Sequence, residues 1–314
     1  GLYGLICPEH SQLEVHPRTT EIAAYSQIMN TFIWILLILF LLILTIGLAL
    51  SFYFTHRGQL GETHSPNEYG LEFEPVEFKA TDGLTLRGVW IPTSGSDKAV
   101  IILHGHGGSY DLDLYRAPAL HEAGFNVFLF DFRGHGRSEG KRITFGYEER
   151  WDVLGAIDFL RSRVIKHIGL LGFSYGGIVS MVFAAEHHGV EAIITDGGPA
   201  RMRTAIAGRG IEMGIPTWLT RPLAWLIIGM TSLRLGANLF QYEPIQRVGK
   251  ISPRPILFIH GDGDPYLTDF DELYTAAKPP KELWRLPDAG HCDASQLYPE
   301  EHTRRVVEFF SQHL

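Results

Sequence analysis

The chain has 314 residues, 20% of them charged and 45% hydrophobic, with a formal net charge of -8 at pH 7. That length suits one large α/β domain with accessory segments. The mild acidity excludes the basic face of a nucleic-acid binder, so no nucleic-acid partner is expected.

Residues 1–30 are polar, contain Pro8 and Pro17, and read as a short tail. From Thr31 to Phe54 there is no charged residue, and Ile, Leu and Phe dominate. As a helix this run measures on the order of 36 Å, against ~30 Å for a hydrocarbon core. Trp34 and Tyr53 stand near its two ends and Arg57 follows it, as interfacial anchors do. A signal peptide has a shorter apolar core and a small-residue cleavage site, and a surface-packed helix alternates apolar with polar positions. Residues 31–54 are therefore expected to be a single-pass membrane anchor, with the lipid bilayer as partner. Arg18 and Arg57 flank the run one on each side, so the positive-inside rule gives no orientation. The chain begins with Gly rather than Met, which leaves the upstream charge count open. If the anchor spans, Cys7 and Cys292 lie on opposite sides of it; two thiols make neither a disulfide framework nor a zinc set.

Residues 55–70 read as a polar linker, and a chain beginning near Leu71 is expected to be soluble and to keep the activity of the domain. From 71 onward strand-like runs fall at 71–78, 84–91, 99–103, 126–131, 167–172, 192–196, 255–260 and 282–286. Helix-length segments lie at 111–123, 147–163, 174–187, 269–277 and 300–313. Two strands followed by strand–helix alternation predict an α/β fold: a mostly parallel sheet with helices on both faces. Ligands of such sheets bind beyond the carboxyl ends of the strands. The alternation stops between Asp196 and Ile251. Residues 197–250 hold an apolar stretch, 211–230, broken by Pro216 and Pro222, and are expected to form a short helical cap over the site. A surface dipping into the membrane is the alternative.

The chemistry-bearing residues cluster at predicted strand ends. Gly172-Phe173-Ser174-Tyr175-Gly176 has the pattern G-x-S-x-G after an apolar run and before a buried helix. A serine on so tight a turn is pushed into the open, and the flanking glycines supply room where a side chain would collide. His104-Gly105-His106-Gly107-Gly108 follows another core run. Its backbone can approach a ligand, so the N–H groups of His106 and Tyr175 are the expected oxyanion hole. His104 and His106 form an H-x-H pair, but no nearby Asp-His pair completes a metal site, and none is expected. The turn from Asp131 to Ser138 reads as structural, closed by Asp–Arg pairing. Asp262 and Asp264 follow the run before His260, and Ala289-Gly290-His291 supplies an imidazole. Either carboxylate has the chemistry to orient it.

Residues from about 71 to 314 resemble the α/β-hydrolase superfamily in its serine-hydrolase branch. The matching stretches are 104–108, 131–138, 172–177, 261–264 and 290–291. Members often carry H-G-x-x-D before the acid, which selects Asp264 over Asp262, and Ser174, Asp264 and His291 stand in that family's chain order. The chain also resembles the membrane-anchored, Bem46-like members. The resemblance implies an esterase or lipase-like enzyme without a cofactor, with a small-molecule acyl ester as substrate. Ser174 would be the nucleophile, His291 the base and Asp264 its orienting acid. A peptidase, amidase or thioesterase on the same triad is the alternative. A binding protein on a hydrolase fold is disfavoured, because no triad member is missing.

Overall fold

A computed structural model describes residues 17–58 and 63–314. Cys7, with the rest of the first sixteen residues, and positions 59–62 of the expected linker lie outside the described residues. The chain divides into two compact units, Gly1–Ile46 and Gly47–Leu314.

Helix α1, Pro17–Thr55, runs through the boundary between them. It begins inside the segment read as a polar tail. Proline is favoured in a first helical turn, and neither Gly nor Pro interrupts the sequence from Arg18 to Ile46. In the first unit its apolar side chains, such as Ile33, Trp34 and Phe40, are exposed. The stretch Ala24–Thr55 is long and apolar enough to cross a membrane.

The second unit is built on one eight-stranded sheet. Its strands are β1 Glu74–Lys79, β2 Thr85–Ile91, β3 Lys98–Leu103, β4 Asn126–Phe130, β5 His167–Phe173, β6 Ala192–Asp196, β7 Ile256–Gly261 and β8 Lys281–Leu286. They lie in the order β1-β2-β4-β3-β5-β6-β7-β8. β1 and β2 are antiparallel, and β4 through β8 form a parallel sheet. Side chains alternate between its faces. Ile101, Phe128, Leu170, Ile193 and Phe258 join one core, with α3 (Glu149–Ser162), α4 (Tyr175–Glu186) and α7 (Phe270–Ala276). Ile102, Leu129, Leu171, Ile194 and Leu257 join the other, with α2 (Ala117–Glu122) and α9 (Pro299–His313). Burial on both faces explains why the strands are near-continuous apolar runs.

The chain steps from β3 to β4 on one side and then to β5 on the other. β3 and β5 pair in register, Leu103 opposite Gly172. The loops leaving these two strands diverge, which opens the crevice where doubly wound sheets bind ligands.

After β6 come α5, Met202–Glu212, and α6, Thr217–Leu235, followed by short 3-10 turns to Lys250. Pro216 breaks the apolar stretch, but Pro222 sits inside α6, where it removes only one backbone donor. The final turns of α1 pack on α6. A side chain at Gly47 would lie 2.5 Å from Leu226 Cγ. Ser51 Oγ is 3.0 Å from Thr231 Oγ1, and Arg234 donates to Ser51 Oγ at 2.6 Å and Thr55 Oγ1 at 3.1 Å. The backbone then joins the loops below: Ile143 N–H donates to Thr55 O at 2.9 Å and Gly58 N–H to Gly134 O at 2.8 Å. Residues 55–58, read as linker from their polarity, are thus bonded into the second unit. A short helix α8, Ala294–Leu297, follows His291.

Candidate active site

Ser174 occupies the turn between β5 and α4 with φ 50 and ψ -108, a left-handed conformation that strains any residue with a Cβ. The turn is held by its neighbours. Ser174 N–H donates to Asp196 O at 2.9 Å. A Cβ on Gly172 would come within 2.4 Å of Gly176 O, and one on Gly176 within 2.0 Å of Leu103 O. The glycines of the G-x-S-x-G pattern are therefore required by backbone packing, and the serine hydroxyl is turned out above the sheet.

His291 Nε2 lies 2.7 Å from Ser174 Oγ, and its Nδ1 lies 2.6 Å from Asp264 Oδ2. A carboxylate only accepts, so the proton is assigned to Nδ1 and Nε2 is left to accept from the serine hydroxyl. Asp264 Oδ1 is occupied by Tyr266 N–H at 2.7 Å. This is the local turn that Asp makes with the residue two further on. The Asp264 side chain is fully buried, while that of His291 is 22% exposed, which leaves the imidazole facing the cavity. The Tyr266 ring stacks on it at 4.3 Å. Asp262 turns away, accepting from Arg285 Nε at 2.7 Å.

His106 and Tyr175 stand on the two turns beside Ser174, and their rings meet edge to face at 5.7 Å. The imidazoles of this region are committed to the backbone. His104 Nε2 accepts from Phe132 N–H at 3.0 Å, which places its proton on Nδ1, 2.8 Å from Gly105 O. His135 Nε2 accepts from Gly107 N–H at 3.2 Å, with Nδ1 donating to Arg133 O at 3.0 Å. His106 Nε2 donates to Phe54 O, at the end of α1, at 2.9 Å. Burial lowers the pKa of His104 and His135, so both are neutral braces. The turn at 131–138 is closed by Asp–Arg pairing as expected, with Arg137 Nη1 3.7 Å from Asp131 Oδ2. Asp131 accepts from Tyr110 N–H at 2.8 Å and Arg137 N–H at 2.7 Å, while the Arg137 guanidinium pairs with Asp111 at 2.7 Å.

Ser174 and His291 open into a cavity of about 1000 Å³. Its wall includes Tyr53, Phe54 and Arg57 from the end of α1, and Met202, Ile206 and Arg209 from α5. Leu112, Ile143 and Ile178 add apolar surface. Sequence reasoning missed the contribution of α1, because a helix apolar all round carries no mark of where it leaves the membrane and meets the domain. It also missed a second, buried His–Asp pair, His302 Nε2 to Asp196 Oδ2 at 3.0 Å. Cys292, beside His291, turns its thiol to Asp196 O at 3.3 Å, and burial raises its pKa well above the ordinary value. It is therefore a thiol rather than a thiolate.

Residues 98–227 match the family model described as alpha/beta hydrolase fold. The chain is 30% identical to YfhR of Escherichia coli (strain K12) over 249 residues, covering 75% of this chain and 80% of that one. It is 24% identical to the bem46 protein of Schizosaccharomyces pombe over 250 residues, covering 76% and 77%. The esterase Pf2001 of Pyrococcus furiosus superposes with a TM-score of 0.69 at 27% identity, over 83% of this chain and 98% of that one. Together with the strand order, these likenesses show that the chain belongs to the α/β-hydrolase superfamily, among its Bem46-like members, and is a hydrolase.

Proposed function

We propose that the protein is a membrane-anchored serine hydrolase that cleaves carboxylic esters through an acyl-enzyme. The observation that carries this reading is the relay of Ser174, His291 and Asp264, with contacts of 2.7 and 2.6 Å, at the wall of a partly apolar cavity. Ser174 Oγ attacks the acyl carbon as His291 Nε2 takes its proton, and the buried Asp264 carboxylate stabilises the imidazolium that forms. The negative charge on the carbonyl oxygen is taken by the N–H groups of Tyr175 and His106. Collapse expels the alkoxide, which receives the proton from His291. Water then repeats the sequence on the acyl-serine and releases the acid.

The anchor is assigned to the apolar part of α1, and the catalytic unit to Gly47–Leu314. In place of the expectation that a chain beginning near Leu71 keeps its activity, the proposal is that it turns over more slowly. Such a chain lacks Phe54 O, the partner of His106, and the Thr55 and Gly58 bonds that hold the neighbouring loops.

A graded panel of acyl esters, thioesters and aminoacyl amides tests the reaction, read with the full chain in detergent. Ester turnover that rises with acyl length and vanishes in Ser174→Ala is the expected result. Turnover of amides alone would move the assignment to a peptidase or amidase. Retention of the full chain in membranes after carbonate washing tests the anchor.

A further inference from the structure

The end of α1 and the α5–α6 hairpin form one wall. Leu226 of α6 lies against Gly47, and Thr231 and Arg234 bond Ser51 and Thr55. These α1 residues close the stretch Ala24–Thr55, which is long and apolar enough to cross a membrane. At 1.5 Å per residue Gly47 and Thr55 are only about 12 Å apart along the helix axis. The uncharged run Thr31–Phe54 ends within this segment, so a crossing centred on that run brings the segment to one headgroup layer. α6 is fixed to the same depth by its contacts with it.

The side of α6 turned away from the core is unusually apolar. Thr220, Ala224, Ile227 and Thr231 are buried, and at 100° per residue the opposite arc carries Trp218, Pro222, Trp225 and Leu233. Trp218 is 77% exposed, Trp225 53% and Leu233 78%. Met213 and Leu219, at the α5–α6 turn and the start of α6, extend the patch. Arg221 stands at its edge, where a long cationic side chain reaches phosphate groups while its stem stays in apolar surroundings. Indoles with an apolar body and one N–H donor concentrate at the headgroup boundary. A helix of this kind lies in the plane of the interface.

We propose that the outer face of α6, with the α5–α6 turn, is a second membrane contact seated in the headgroup layer beside the end of α1, and that the substrate is a bilayer lipid ester entering the cavity from that layer. The cavity supports the route. Tyr53 and Phe54 line it from the end of α1, which is placed at the lipid surface, and Met202 and Ile206 line it from α5, the helix that leads into α6. An acyl chain moving from the bilayer to Ser174 then has Tyr53, Phe54, Met202 and Ile206 to follow, while Arg57 and Arg209 on the same wall can meet a polar headgroup. The substrate class rests on the acyl-hydrolase reading above; the membrane contact does not.

The test uses the full chain reconstituted in phosphatidylcholine vesicles whose acyl chains are brominated near the headgroup. Quenching of tryptophan fluorescence is compared between the parent, Trp218→Phe and Trp225→Phe. The expected result is that each substitution, Trp218→Phe the more, removes a strongly quenched component, and that aqueous iodide does not quench it. Identical quenching in all three proteins, or protection of Trp218 by cross-linking to a second copy, overturns the contact. The route is read separately, with Trp218→Asp/Trp225→Asp. Turnover of a long-chain ester in vesicles should fall at least tenfold while that of a soluble butyrate ester stays within twofold. Equal loss on both esters overturns the route, and Trp218→Gln, a milder change, repeats the comparison if the double variant does not fold. A chain that proves inactive on every ester would remove the acyl-hydrolase reading and leave the quenching result standing.

Discussion

Two of the His–Asp pairs among the described residues, at His291 and at His302, invite comparison. His291 and Asp264 meet at 2.6 Å, and His302 and Asp196 at 3.0 Å. Each Asp stands at or just beyond the carboxyl end of a parallel strand, Asp264 past β7 and Asp196 closing β6. The difference lies at the far side of the imidazole. His291 is partly exposed and reaches a hydroxyl, whereas His302 is buried at 5% side-chain exposure beside the rings of Phe173 and Trp284. The second pair ties α9 to the sheet. Asp196 also holds the serine turn, but through its carbonyl oxygen, which accepts from Ser174 N–H. On the function proposed above, the pair at Asp264 is a catalytic relay because the strained, partly exposed Ser174 closes it, whereas the pair at Asp196 is a structural tie.

This contrast is open to direct attack. Asp264→Asn should lower kcat by about 10³–10⁴, because the amide stabilises the wrong imidazole tautomer, with thermal stability changed little. The same change at Asp196 should leave kcat within about tenfold and weaken the fold, since it leaves a buried polar contact poorly satisfied at roughly 1–3 kcal/mol. For a domain of this size that corresponds to a Tm lower by about 2–4 °C per kcal/mol. Matched kinetics and melting curves for the two variants decide the matter; equal kinetic damage at both sites would erase the distinction drawn here. Deleting residues through Gly70 comes next in size. Loss of the Phe54–His106 bond should lower kcat about tenfold or more, on the scale of one misplaced oxyanion donor, relative to a chain beginning at Gly47. Indistinguishable kcat values would show that the end of α1 does not position the loop. The smallest effect belongs to Cys292. With its thiol raised in pKa and aimed at Asp196 O, Cys292→Ala should change kcat by no more than about twofold. Iodoacetamide should leave the folded parent active; rapid inactivation at that thiol would contradict its placement.

The strands were legible because burial on both sheet faces leaves unbroken apolar runs, and all eight appear within a few residues of their expected positions. The Gly172–Gly176 turn was legible for a related reason: backbone approaches at 2.4 and 2.0 Å admit no side chain at Gly172 and Gly176. The geometry at Asp264 has a local signature as well, since its carboxylate caps Tyr266 N–H two residues on. The long-range ties were not readable. The bond from Phe54 O to His106 spans 52 positions and that from Asp196 to His302 spans 106, and in both cases the sequence shows only residues of suitable type. The segment read as one helix at 111–123 is a 3-10 stretch, Tyr110–Arg116, followed by the short α2. Pro118 stands in the first turn of α2 and has no N–H to continue a helix from the preceding turn.

The central claim is that Ser174 is the residue that becomes acylated. The most direct measurement is peptide mapping by mass spectrometry after the full chain has reacted with a fluorophosphonate probe. The account predicts one dominant adduct on Ser174, absent from Ser174→Ala and formed far more slowly in His291→Ala. An adduct on another residue, or ester turnover by Ser174→Ala within tenfold of the parent, would contradict it.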